Sequence, residues 1–197
     1  MKSNMKWFST ALLVLVLTAL PLYGASADTT KQGDLAVGGN FAIGGGTAPA
    51  DGADGGMVIG LLPHVEYFPI DNLGVFLRFL WMRYMPEAAG VSMNADVFPF
   101  IFGTRYFFDT PVDGLKPFAG GGLGLAVFHY DNDFSGDDTK ARFALDMEGG
   151  VEYEVIENLG LHGTFDILLP NVAKTDDGED VVGFFTLMVG VSYYLPL

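Results

Sequence analysis

The chain of 197 residues contains no cysteine. That excludes a disulfide framework, a thiolate metal centre and a lipid anchor carried on cysteine, so an exported form would have to be held together by other means. Charge is scarce as well: 17% of the residues are charged and half are apolar, against roughly 25% charged in ordinary soluble domains. Positive charge is the scarcer sign, with 10 Lys and Arg against 24 Asp and Glu and a formal net charge of −14. Such a balance opposes binding to nucleic acid and leaves the acids to solvent or to divalent cations. Beyond the first segment the chain also lacks any unbroken apolar run of about 20 residues, the length a spanning helix needs. Its apolar excess must be spread through another pattern.

The N-terminus reads as a secretory signal. Lys2 and Lys6 supply a positive region, Ala11 to Leu20 an apolar stretch, and Ala25-Ser26-Ala27 a small-residue cleavage site. Pro21 and Gly24 interrupt the apolar stretch before the cleavage site, which argues against a retained anchor. The expected division is a signal peptide over 1–27 and one domain over 28–197.

From Gly33 onward the apolar period is two, the period of strands. Alternation predicts eight strands, at about Asp34 to Gly45, Met57 to Phe68, Gly74 to Tyr84, Ser92 to Phe107, Lys116 to Tyr130, Thr139 to Val155, Leu159 to Leu169 and Val181 to Leu197. The connectors alternate in character. Short Asn/Asp/Gly turns such as "IDNLG" and "IENLG" take even places, and longer, mostly acidic stretches such as "DNDFSGDDT" and "PNVAKTDDGED" take odd ones. In an up-and-down meander this puts all long connectors at one end, an asymmetry shared by barrels of the outer membrane.

The stretch "DMEGGVEYEV" separates the two faces of one strand. Asp146, Glu148, Glu152 and Glu154 have one parity, and Met147, Val151, Tyr153 and Val155 the other. Elsewhere too, a bulky uncharged face opposes one that mixes Gly and Ala with charges, as in the row Gly120, Gly122, Gly124 and Ala126. A soluble barrel would put the bulky residues inside and the charges outside. Here the bulky face suits lipid and the small-plus-charged face suits a narrow lumen. Closure removes the unpaired edges that a bilayer does not tolerate. Aromatics gathered near the short turns, namely Tyr67, Phe68, Tyr106, Phe107, Phe108, Phe118, Tyr153, Tyr193 and Tyr194, suggest a girdle at the headgroup level.

The phrases "YFPIDNLGVFLRF", "LKPFAGGGLGLAVF", "YEVIENLGLHGTFDI" and the final "TLMVGVSYYLPL" resemble the small outer-membrane β-barrel superfamily of Gram-negative bacteria, that of the OmpA membrane domain and OmpX. The resemblance implies an all-β fold, an eight-stranded antiparallel up-and-down transmembrane β-barrel preceded by a cleaved signal peptide. It further implies periplasmic termini, extracellular long loops, contact with outer-membrane lipid and lipopolysaccharide, and insertion by the outer-membrane assembly machinery. Such chains usually end on an aromatic, whereas this one ends Tyr193-Tyr194-Leu195-Pro196-Leu197.

Adjacent same-face carboxylates stand about 6.6 Å apart on a strand, which permits an acid/base pair at Glu152 and Glu154. A lumen charge network is the expected reading instead. Glu66, Asp146, Glu148, Glu152, Glu154 and Asp166, with Arg78, Arg105, Arg142 and His162, face one side by parity, and buried charges persist when paired. His162, Thr164 and Asp166 also share that face, and some eight-stranded outer-membrane barrels are lipid A deacylases or acyltransferases using His, Ser and an acid. An inward nucleophile would not meet lipid, and Thr stands where Ser is expected, so no catalysis is expected. His64 and His129 lack metal-ligand spacing, and no cofactor is expected. Asp131, Asp133, Ser135 and Asp137 match the first half of a calcium loop, but Arg142 occupies its twelfth position. A weak divalent-cation contact is the most these acidic loops suggest. The expected role is structural or surface-interacting, with a narrow passage for small or hydrophobic solutes as the alternative.

Overall fold

The computed structural model describes residues 30–48, 53–88, 91–92, 94–130, 138–170 and 182–197. Among them run ten strand segments: β1 (Leu35–Gly46), β2 (Ala53–Ile70), β3 (Leu73–Phe79), β4 (Trp81–Ala88), β5 (Val91–Ser92), β6 (Ala95–Phe107), β7 (Leu115–Tyr130), β8 (Asp138–Ile156), β9 (Leu159–Leu169) and β10 (Phe184–Leu195). All pairings are antiparallel. β6 to β10 pair in sequence order, β3 and β4 both pair with β2 and β6, and β1 pairs with both β2 and β10, so the sheet closes on itself. No helix among the described residues is long and apolar enough to cross a membrane.

The expected third strand is two segments. β3 and β4 both lie between β2 and β6, and they part at Leu80. The cause lies across the ladder, where the Leu80 amide donates to the Pro99 carbonyl at 2.9 Å. Proline has no N–H to return, so the reciprocal bond is missing and the ladder breaks. The expected fourth strand is likewise divided, into the short β5 and β6.

Two turns have the same construction. Asp71–Asn72 joins β2 to β3 and Glu157–Asn158 joins β8 to β9; Asn72 (φ 63°) and Asn158 (φ 65°) take the left-handed conformation that Asn tolerates. A register shift sits beside each, at Tyr67/Ile70 and at Glu154/Ile156. A turn ending in a left-handed residue next to a bulge is a favoured short hairpin connection. The residues before β1 fold over the first of these turns: the Asn72 amide donates to the Thr30 carbonyl, the Thr30 hydroxyl to Asn72 Oδ1, and Lys116 Nζ to the Thr30 hydroxyl.

The outer face is apolar. Leu61, Leu77, Phe102, Leu123, Leu125 and Leu187 each leave more than half of their surface uncovered. The interior is layered. Towards the long connectors lies an apolar cluster that includes Val58, Leu62, Leu80, Met82, Val97, Ile101, Phe184 and Met188. Towards the short turns lies a second, of Ala36, Phe68, Phe107, Phe118 and Tyr194. The charged side chains fill the level between.

That second cluster corrects the expected girdle. Tyr67, Tyr106, Phe108 and Tyr193 do face outward, but Phe68, Phe107, Phe118 and Tyr194 are buried inside, with ring centroids 5.4 to 6.0 Å apart. These four share the inward parity of Glu66, Arg105, Gly120 and Ser192 on their own strands. They close the short-turn end from within.

Candidate functional site: the buried charge layer

Each charged side chain enters the lumen on the inward parity of its strand: Glu66 from β2, Arg78 from β3, Arg105 from β6, Asp146, Glu148, Glu152 and Glu154 from β8, and His162 and Asp166 from β9. All nine are buried. Arg142, also on β8, is half-buried nearer the long connectors and pairs in register with Ala126. The calcium-loop candidates Asp131, Asp133, Ser135 and Asp137 lie outside the described residues.

Two guanidinium groups organise the layer. Arg78 donates from Nη2 to Asp146 at 2.5 Å, from Nη1 to Glu148 at 3.1 Å, and from Nη2 to Asp166 at 3.5 Å. Arg105 forks onto Glu148 at 2.8 and 3.1 Å and reaches Glu66 at 3.1 Å. Glu148 therefore bridges both arginines. Charge-assisted forked contacts of this kind are the strong class of hydrogen bond and suit a planar guanidinium. Aromatic rings cover the same cations: Arg105 stands 4.6 Å from the Phe118 centroid and Arg78 5.3 Å from that of Phe76.

A second set of polar contacts extends the layer. His162 donates from Nε2 to Asn40 Oδ1. Ser192 Oγ lies 3.5 Å from His162 Nδ1 and 3.2 Å from His64 Nε2. Glu152 approaches His162 Nδ1 at 3.6 Å and accepts a bond from the Tyr194 hydroxyl at 2.5 Å. Thr186 donates to Asp166 at 3.4 Å. Asn40, His64, Ser192, Thr186 and Tyr194 were not among the sequence candidates. Their inward parity was visible, but their partners lie on strands brought together only by closure.

Glycines make the room. A Cβ on Gly74 would stand 1.9 Å from Glu66 Oε1, one on Gly160 2.6 Å from Glu152 Cδ, and one on Gly190 2.1 Å from Asn40 Oδ1. Glu66, Glu152 and Asn40 thus each lie over a glycine of the next strand.

The layer has the ingredients of two kinds of chemistry. Asp146, Glu148 and Asp166 can bring three oxygens within 4.8 Å of one another, a spacing compatible with a hard cation. The Arg78 guanidinium already reaches all three carboxylates and serves as their counter-charge. Ser192, His162 and Glu152 supply the residue types of an acyl-transfer triad. The structure brings His162 to Ser192 and Glu152, whereas the sequence had suggested Thr164 and Asp166 as its partners. Ser192 is 1% exposed and His162 4%, between two packed apolar clusters.

A closed antiparallel sheet with an apolar outer face and an ionic interior defines an all-β barrel whose surroundings are lipid. The chain belongs to the outer membrane protein beta-barrel domain family, whose sequence model matches residues 10–194. It is a small outer-membrane β-barrel domain of the Gram-negative type. Among solved structures it is similar to neisserial surface protein A, at 20% identity over 82% of this chain and 99% of that one, with a TM-score of 0.65. The attachment invasion locus protein Ail of Yersinia pestis aligns at 16% identity over 83% and 99%, TM-score 0.57. The outer membrane enzyme PagL aligns at 17% over 78% and 97%, TM-score 0.52. No curated protein matches the chain in sequence.

Proposed function

We propose that the protein is a non-enzymatic outer-membrane barrel with a structural or surface-interaction role. The observation that carries this reading is the filled interior, in which a paired charge layer lies between two apolar clusters. With β3 and β4 taken as one crossing and β5 and β6 as another, the ten segments read as eight passes, the construction of small barrels whose lumen is taken up by side chains. The signal peptide over 1–27 is removed, the termini are periplasmic, and the long acidic connectors face outward, where they meet partners or divalent cations. The lipid partners are those of the outer membrane, lipopolysaccharide included, and assembly depends on the outer-membrane insertion machinery. Two similar folds bear names that speak of a surface protein and of attachment and invasion, which accords with such a role.

The alternative, a passage for small or hydrophobic solutes, rested on the inward Gly/Ala row and on Leu62, Leu80 and Met82. Those three side chains are packed into the apolar cluster, which favours the closed reading. Planar-bilayer recording tests it: the folded barrel should leave the membrane non-conducting, and reproducible channels would overturn the closed reading. The likeness to PagL is one of fold, and burial of Ser192 and His162 favours a non-catalytic role. Loss of lipid A acyl chains that depends on His162 would overturn that part.

A further inference from the structure

One row of polar side chains lies on the wrong face of the barrel. Arg83 on β4, Asp96 on β6, His129 on β7 and Thr139 on β8 stand opposite one another in register, Arg83↔Asp96, Asp96↔His129 and His129↔Thr139. Their chain neighbours Met82, Tyr84, Ala95, Val97 and Phe128 point inward and are buried, so the row faces outward. Arg83 forks onto Asp96, Nε to Oδ1 at 3.0 Å and Nη2 to Oδ2 at 2.9 Å, and its side chain remains 40% exposed. His129 Nδ1 lies 3.4 Å from the Thr139 hydroxyl.

The height of the row is the informative quantity. Along β6 the outward positions run Tyr106, Thr104, Phe102, Phe100, Phe98 and then Asp96. Ten residues at about 3.3 Å each, on a strand tilted roughly 40°, rise about 25 Å along the barrel axis, which equals the height of the apolar band of such barrels. With the Tyr106 ring at one headgroup boundary, Asp96 stands at the other, on the long-connector side, and the same tilt shifts each register partner by about 3 Å along the axis, so the row runs obliquely through the headgroup region. Trp81, the outward residue next to Arg83 on β4, lies just inside it, where indole rings favour the interface. The donors of the row lie on one flank: towards the long connectors the last outward residues are Leu169 on β9, Phe185 on β10 and Gly45 after Ile43 on β1, while β2 runs past Met57 to the exposed acid Asp54.

We propose that this flank binds the phosphorylated headgroup of an outer-leaflet glycolipid of the lipid A type, with Arg83 as the phosphate contact and His129 and Thr139 as neighbouring donors. The choice of glycolipid over other lipids rests on the reading that the long connectors face outward. Guanidinium is the side chain best matched to phosphate; Asp96 takes the Nε–Nη2 edge of Arg83 and fixes its plane, so a phosphate would meet the Nη1–Nη2 edge. The row spans three inter-strand gaps, about 14 Å at 4.8 Å each, wide enough for more than one contact to one headgroup.

Trp81 and Trp7 are the two tryptophans of the chain, so after removal of the signal peptide Trp81 alone reports on this flank. Fluorescence titration of the folded barrel in detergent should show tighter binding of phosphorylated lipid A than of the same lipid with its phosphates removed, and than of phosphatidylglycerol. Arg83→Gln should weaken the phosphorylated ligand about tenfold, as expected for a lost charge-assisted contact, and leave the dephosphorylated one unchanged. Equal affinity for the two lipid A forms, equal affinity for phosphatidylglycerol, or no effect of Arg83→Gln would overturn the proposal. If Arg83→Gln fails to fold, judged by heat-modifiable mobility, Thr139→Val takes its place, with a smaller loss of the same sign expected and no loss counting against the site. Accessibility of a tag within residues 171–181 on intact cells tests orientation separately. A periplasmic tag would sink the outward reading without altering what the titration says of the phosphate contact.

Discussion

Arg78 is the cation on which three of the six buried carboxylates converge, so residues within the charge layer differ sharply in what their removal should do. Replacing Arg78 with Met would leave Asp146 and Asp166 without their counter-charge and Glu148 with Arg105 alone. Breaking a buried network in this way costs about 3–5 kcal/mol. Asp166→Asn removes the longest of the three contacts, keeps a side chain that still accepts from Thr186, and lowers the negative surplus. Its cost should stay within about 1 kcal/mol, since a modest hydrogen bond is all that is exchanged. Urea unfolding of both variants in the same detergent checks the contrast, and an Arg78→Met barrel as stable as its parent would mean that the layer is not held by this pair.

Side-chain direction in this layer was legible from alternation alone. Glu66, Arg78, Arg105, Asp146, Glu148 and Asp166 need only their parity to be placed in the lumen. Which acid meets which arginine was not legible, because Arg78 and Asp146 are 68 residues apart and meet through closure and stagger of the sheet. The aromatic residues teach a related lesson. Grouping Phe68, Phe107, Phe118 and Tyr194 by nearness to turns put them on a girdle, while carrying each strand's parity to its last residue would have put them inside. Nothing in the local sequence announces Asn40 or Ser192 as partners of His162, since small polar residues on a Gly-rich strand have several possible neighbours until the barrel closes.

At the scale of elements, the short hairpins depend on one left-handed Asn each, and the two are not equivalent. Asn158 offers its backbone, accepting from the Tyr194 amide, with its own amide bound to Glu154. Glycine adopts this conformation without strain, so Asn158→Gly should be neutral to within about 0.5 kcal/mol, whereas Asn158→Val should cost about 1–2 kcal/mol. Asn72 adds side-chain bonds to Thr30 and Asp109, so Asn72→Gly should cost about 1 kcal/mol more than Asn158→Gly. Equilibrium unfolding of the three variants gives the ranking directly, and an Asn72→Gly barrel as stable as Asn158→Gly would show that the residues before β1 are not pinned through this side chain. The hairpins were visible in "IDNLG" and "IENLG". The split at Leu80 was not, because alternation runs unbroken through Phe79 and Trp81 and the cause, Pro99, sits on another strand.

At the scale of the whole molecule, the two apolar clusters make a claim about access that neither cluster makes alone. Sealing at both ends should hide the carboxylates between them from reagents in solution, while Asp71, Asp109, Asp113 and Glu157 are exposed at the short-turn end. Carbodiimide coupling of a small amine to the folded barrel, read by peptide mass, should therefore modify those four and spare Glu66, Asp146, Glu148, Glu152 and Asp166. Coupling after denaturation should modify all nine. Salt gives a second handle on the same point, since ion pairs excluded from solvent are screened little. Raising ionic strength from about 0.05 to 0.5 M, which shortens the Debye length from roughly 14 to 4 Å, should leave unfolding stability unchanged and the protected set the same. Modification of Glu148, which lies between both arginines, in the folded barrel would mean that water and small solutes reach the centre. The charge layer would then line a route through the membrane, and the solute-passage reading would replace the closed one.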